Sequence, residues 1–142
     1  MTRDRLEMLY QHCADLDVMV EWCRLRPGRR GSYRFSNNTI QLGLHLSRRQ
    51  AIATLAHEVG HQRFGDTCST PANERRAWEF GAALVITPLE YRAAEGQVGS
   101  DARALAIELD VTPKLIEAWR RWWLVRGQFI HAALLDVDTA DV

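Results

Sequence analysis

Three of the four prolines in this chain stand directly after a threonine, at Thr70-Pro71, Thr87-Pro88 and Thr112-Pro113. Inside a helix, proline removes a hydrogen bond and clashes with the preceding turn. At the first helical position its missing N–H had no partner to lose. The threonine before it offers a hydroxyl that accepts from a free first-turn amide. Each pair therefore predicts a helix start. An earlier start is marked by Ser47-Arg48-Arg49-Gln50, a capping box in which Ser47 accepts from a first-turn amide while Gln50 reaches back to the N-cap amide. The helix beginning near Arg48 carries Ile52, Leu55, Ala56 and Val59 and is predicted to run to about Phe64, with Gly65-Asp66 ending it. The helix after Pro71 holds Ala77, Phe80, Gly81, Leu84 and Val85, the one after Pro88 ends within Gly96 to Gly99, and the stretch 100–127 reads as two helices joined at Asp110-Val111-Thr112-Pro113.

Ahead of Ser47 the pattern changes. Leu6, Leu9, Tyr10 and Cys13 fall at helical spacing within residues 3–15, and Val18, Val20 and Trp22 then alternate as in a strand. That strand stops at Pro27-Gly28-Arg29-Arg30-Gly31, and alternation resumes over Ser32 to Phe35 and Thr39 to Leu44, with Asn37-Asn38 between them as a hairpin turn. The expected architecture is α+β: an N-terminal helix, a small antiparallel sheet, two longer helices and a C-terminal helical hairpin. A chain of 142 residues, 46% apolar and 25% charged, suits one domain with at most a short appended module. The longest uncharged apolar stretch, Phe80 to Pro88, is too short to cross a bilayer as a helix. With no apolar segment after the first residues, a cytoplasmic location and reduced thiols at Cys13, Cys23 and Cys68 are expected. Eighteen basic residues balance eighteen acidic ones, so any nucleic-acid or membrane attraction must be local, and no membrane partner is expected.

The chemically informative run is His57-Glu58-Val59-Gly60-His61, inside the capped helix. Positions four apart lie one above the other on a helix, so both imidazoles project from one face and can share one metal ion. Glu58, beside the first histidine, can act as a base on water without being a ligand, the arrangement of a zinc peptidase. A shuffled chain with five His would show this pattern in roughly 1% of cases. Two histidines leave a third ligand to be found. Glu74 on the next helix is the first candidate, Glu79 its rival, and Cys68 in the loop a further alternative. Glu74 and Glu79 lie roughly 140° apart around their helix, so both cannot face the ion.

At these residues the sequence resembles the ImmA/IrrE family of metallo-endopeptidases, of the gluzincin type. The likeness covers the H-E-x-x-H helix and the family's second motif, here Glu74-Arg75-Arg76-Ala77-Trp78-Glu79-Phe80-Gly81, and extends over about residues 1–95. It implies a zincin-like domain over residues 1–98, Zn2+ held by His57, His61 and Glu74, and Glu58 as general base. It also implies cleavage of a repressor or similar DNA-binding regulator, often in phage or mobile-element switching. The chain departs from the family in having Trp78 where Asp or Asn is common, and in one extra residue between Phe80 and Pro88. Tyr33, His45, Tyr91 and His131 are the candidates for stabilising the oxyanion of such a reaction.

Residues 99–127 carry a second resemblance. Leu105-Ala106-Ile107-Glu108-Leu109-Asp110-Val111-Thr112, continuing through Ile116 to Trp119, is similar to helix-turn-helix segments, with Asp110 at the turn glycine. Lys114, Arg120 and Arg121 are its candidate DNA or partner contacts. The stretch 100–127 nets only +1, a thin footprint for DNA, so packing or protein docking is the favoured use. A regulator that binds a partner without catalysis is the alternative function. The acidic tail, 128–142, carries Asp136, Asp138 and Asp141 and is expected to fray.

Overall fold

The computed structural model describes residues 4–127 and residue 129; the acidic tail and His131 lie outside these. Helix α1 (Arg5–Asp15) leads into β1 (Met19–Cys23), β2 (Gly31–Arg34), a single 3-10 turn (Phe35–Asn37) and β3 (Thr39–Gly43). Helices α2 (Arg48–Phe64), α3 (Pro71–Val85), α4 (Pro88–Val98), α5 (Ala102–Leu109) and α6 (Pro113–Trp122) follow, the last continuing into a π-turn (Trp123–Gly127). The capping chemistry is realised. Ser47 Oγ accepts from the Gln50 amide at 3.3 Å while Gln50 Oε1 accepts from the Ser47 amide at 3.0 Å, and Thr87 with Glu90 repeats the box. Pro71, Pro88 and Pro113 each open their helix. Among the described residues no helix is long and apolar enough to cross a membrane.

The α+β architecture stands, but the sheet is mixed. Its order is β1-β3-β2, with β2 and β3 antiparallel and β1 parallel to β3. Alternation reveals which face of a strand is buried, not which neighbour it takes. Ile40 and Leu42 are fully buried and place β3 at the centre, whereas Met19 and Trp22 on β1 are exposed. Asn38 turns the chain between β2 and β3 at φ 51°.

One core joins every helix to the sheet. Leu9 of α1, Ile40 and Leu42 of β3, Ile52, Leu55 and Val59 of α2, Val85 of α3 and Leu105, Leu115, Ile116 and Trp119 of the C-terminal hairpin belong to a single buried cluster. The turn of that hairpin is also tied down: Asp110, at φ 58°, accepts from Arg48 at 2.9 Å and from Arg49 at 3.3 Å.

The antiparallel pair α2 and α3 is spaced by two glycines. A Cβ on Gly60 would lie 2.2 Å from the Ala77 carbonyl oxygen, and one on Gly81 would lie 2.4 Å from that of Ala56. Only hydrogen fits at either point, so the two backbones touch. This contact sets the distance across which side chains of the two helices meet.

Candidate metal centre

Helix α2 stacks His57 and His61 one turn apart, their Nε2 atoms 3.1 Å from each other. The tight crossing brings Glu74, in the first turn of α3, against both rings. Its Oε2 lies 2.8 Å from His57 Nε2 and its Oε1 3.1 Å from His61 Nε2. The Ser69 hydroxyl donates to Oε1 at 3.0 Å. Burial pushes the Glu74 carboxyl up, but the hydrogen bonds from Ser69 and His57 and the adjacent His57 and His61 outweigh it and hold the group below its ordinary range.

The tautomer of His61 decides what its ring can offer a cation. His61 Nδ1 lies 2.9 Å from Oδ2 of Asp66, and an ionised carboxylate only accepts, so Nδ1 carries the proton and Nε2 turns a lone pair toward His57 and Glu74. With the proton of His57 moved to Nδ1, its Nε2 would present a second lone pair, and both imidazoles and the Glu74 carboxylate would face one cation. Two ligands bound at about 2.05 Å to a tetrahedral ion sit about 3.3 Å apart, close to the separations seen. The side-chain donors of His57, Glu58 and His61 also lie within 4.8 Å of one another, so this cluster could hold a metal ion. Glu58 meets His57 differently, its Oε1 lying 3.5 Å from Nδ1, the opposite side of the ring from Glu74. The rival carboxylate, Glu79, is buried on α3 and makes no ion pair with either histidine among the described residues.

Asp66 belongs to no motif in the sequence, and the turn that ends α2 is what brings it to the site. Gly65 at φ 62° closes α2, and the Asp66 amide bonds back to the His61 carbonyl at 3.0 Å. This turn swings the carboxylate under the His61 ring. The Arg76 guanidinium, 2.8 Å from Oδ1, holds it from the other side. Such carboxylate–histidine pairs orient ligand rings and raise their basicity. Trp78 supports the other ring, stacking on His57 at 4.2 Å and 14°.

A cavity of about 680 Å³ opens over the cluster, lined by His57, Glu58, His61 and Glu74 and by the start of β2. Gly31 permits that close approach, since a Cβ there would lie 2.6 Å from Thr54 Cγ2 and 3.5 Å from Glu58 Cγ. Of the oxyanion candidates, Tyr33 lines this cavity and donates to Asn38 at 2.9 Å. Tyr91 is buried in the core, stacked on Trp119 and bonded by Arg120, and His45 is not among the lining residues. Cys68 lines the cavity from its exposed loop.

The three hairpin cations differ in their contacts. Arg120 donates to Tyr91 Oη at 2.8 Å and to the Ser100 carbonyl. Lys114 Nζ lies 4.5 Å from the centre of the Trp78 ring. Both are engaged within the chain, and Arg121 alone of the three is exposed with no such contact among the described residues.

No family model and no curated protein matches this chain. Its fold is similar to that of a solved chain described as a Mycobacterium tuberculosis transcriptional regulator, with a TM-score of 0.63 and 15% identity. The superposition covers 83% of this chain and 41% of that one, so the present chain spans well under half the length of its neighbour.

Proposed function

We propose that this chain is a zinc-dependent endopeptidase whose substrate is a repressor or another DNA-binding regulatory protein. The observation that carries the chemistry is the meeting of His57 Nε2, His61 Nε2 and the Glu74 carboxylate at 2.8 to 3.1 Å beneath an open cavity. Two imidazoles and one carboxylate are the ligand set of a catalytic zinc, which keeps a fourth position for water. When bound, zinc would lower the pKa of that water to about 7 and polarise a carbonyl. Glu58, buried beside the cluster, takes the water's proton and returns it to the leaving amine. Asp66 and Trp78 hold the two rings in place. The substrate class rests on the resemblance of the two motifs to the ImmA/IrrE family.

The test is incubation of zinc-loaded protein with casein and with the repressor-type protein encoded beside its gene. Discrete fragments are expected from the wild type, cleavage about 10²-fold or more slower in Glu58→Gln, and no fragments after chelation. Intact substrate alongside protein shown to hold one zinc overturns the assignment. The name of the structural neighbour favours a second reading, a regulator that binds DNA through the hairpin without catalysis. A gel shift that survives Glu58→Gln and disappears in Arg121→Ala is the result that selects it.

A further inference from the structure

The segment from Arg24 to Arg34, RLRPGRRGSYR, holds five arginines and no acidic residue in a chain whose total charge is zero. Four of them, Arg24, Arg26, Arg29 and Arg34, line a second cavity of about 440 Å³. Its remaining walls include Ser32, Tyr33 and Gln41, and no carboxylate. The two cavities adjoin, sharing Arg26, Arg29, Ser32 and Tyr33, so that Arg26 and Arg29 reach the cavity over the histidines and Glu74 while Arg24 and Arg34 line only the second. Among the described residues none of these four arginines forms a salt bridge, whereas Arg5, Arg48, Arg49 and Arg76 all do. Unneutralised guanidinium groups lining a cleft concentrate positive potential there and draw in anionic groups.

We propose that this arginine-lined arm is a substrate-recognition subsite for acidic side chains, so that the peptide bound here carries Asp or Glu near the bond presented to the metal cluster. The inference rests on the endopeptidase reading of the adjoining cavity. Strand β2 sets the spacing. Gly31 lies against Glu58, Arg34 lies at the far end, and three residues of strand span about 10 Å. An extended peptide covers that distance in about three residues, which places the acidic positions two to four residues from the scissile bond. Guanidinium groups match carboxylates through paired N–H donors, a geometry that fits an acidic peptide. A nucleic acid bears its charge on a continuous backbone and calls for a longer basic track than the four arginines of this cavity supply.

The experiment measures binding apart from cleavage. Fluorescein-labelled hexaglutamate and the same peptide with Gln at every position are titrated against the full chain carrying Glu58→Gln, with fluorescence anisotropy as readout. The acidic peptide is expected to bind at least about tenfold tighter at low salt and to weaken steeply as salt rises. Arg29→Gln with Arg34→Gln is expected to abolish that preference, while Arg92→Gln leaves it intact; all three arginines are exposed, and circular dichroism confirms that each variant folds. Equal binding of the two peptides, or a preference that survives the double substitution, overturns the proposal. So does tighter binding of a single-stranded oligonucleotide through the same arginines. If the preference is present but no substrate is cleaved, the recognition site stands and the endopeptidase reading falls. If casein is cleaved with no gain from acidic residues flanking the bond, the reverse holds.

Discussion

A methyl group at Gly60 would stand 2.2 Å from the Ala77 carbonyl oxygen and 2.6 Å from its Cα, where ordinary contact begins at 3.4 Å. The obstacle is backbone rather than the end of a flexible side chain, so Gly60→Ala can be accommodated only if α3 retreats from α2 by about 1 Å. Overpacking of this kind costs about 1–3 kcal/mol, or a fall in Tm of roughly 4 °C for each kcal/mol at this chain length. The larger consequence concerns Glu74, which sits one turn before Ala77 on the helix that moves. Metal ligands tolerate displacements of only about 0.2 Å, so a shift of about 1 Å pulls the carboxylate out of bonding reach. Zinc affinity is expected to fall by at least about tenfold, although no ligand has been touched. Chelator-competition titration measures the affinity and differential scanning calorimetry of the metal-free protein measures the stability. Gly96→Ala is the control, because nothing lies within 4 Å of a Cβ there and the change is expected to be neutral or stabilising by up to about 1 kcal/mol. A Gly60→Ala protein that loses stability yet keeps its zinc affinity would refute the idea that helix spacing delivers Glu74 to the ion.

Other outcomes follow from neighbouring contacts. Asp66→Ala is expected to lower metal affinity by about 10- to 100-fold, because His61 loses the acceptor that fixes its tautomer, while Asp66→Asn, which retains a carbonyl acceptor, loses less; competition titration of the pair checks the order. Burial pushes the Cys13 thiol up to about 11, and Cys68 is exposed, so iodoacetamide at pH 8 is expected to label Cys68 first and Cys13 only on unfolding. Mass spectrometry should show the Cys68 rate unchanged by zinc; protection would make that thiol a ligand after all. Trp119→Ala removes a buried indole that donates to the Ile86 carbonyl at 2.9 Å, and is expected to cost about 3–5 kcal/mol in a single unfolding transition. Two separate transitions would mean that the hairpin folds as an independent module.

The helix boundaries were legible because caps and prolines act locally: a hydroxyl or a missing N–H needs only its own turn to have its effect. The histidine pair was legible for the same reason, since helical geometry fixes positions four apart. Glu74 required a relation between two helices, and the sequence narrowed the choice without deciding it; the small residues at Gly60, Ala77, Ala56 and Gly81 are what bring the carboxylate to the rings. Strand order was not legible, because Val18, Val20 and Trp22 announce an alternating strand whichever neighbour it takes. Asp66 reads in the sequence as an ordinary residue after a helix-ending glycine, and only the direction of the turn reveals that its carboxylate meets His61. Trp78 read in the sequence only as a departure from a resembled motif, and its stacking on His57 is an interaction that only packing discloses. The fate of Arg120 was equally hidden: a cation on a helix that resembles a DNA reader proves to be bonded to Tyr91.

The assignment of ligand and base divides Glu74 from Glu58, both of which have a carboxylate near the histidines. Zinc affinity measured side by side for Glu74→Ala, Glu79→Ala and Glu58→Gln tests it directly. Affinity lost by at least about tenfold in Glu74→Ala and unchanged in the other two is the expected result. Zinc retained in Glu74→Ala but lost in Glu58→Gln would contradict it, leaving His57, Glu58 and His61 as the metal-binding group and no free carboxylate to serve as base.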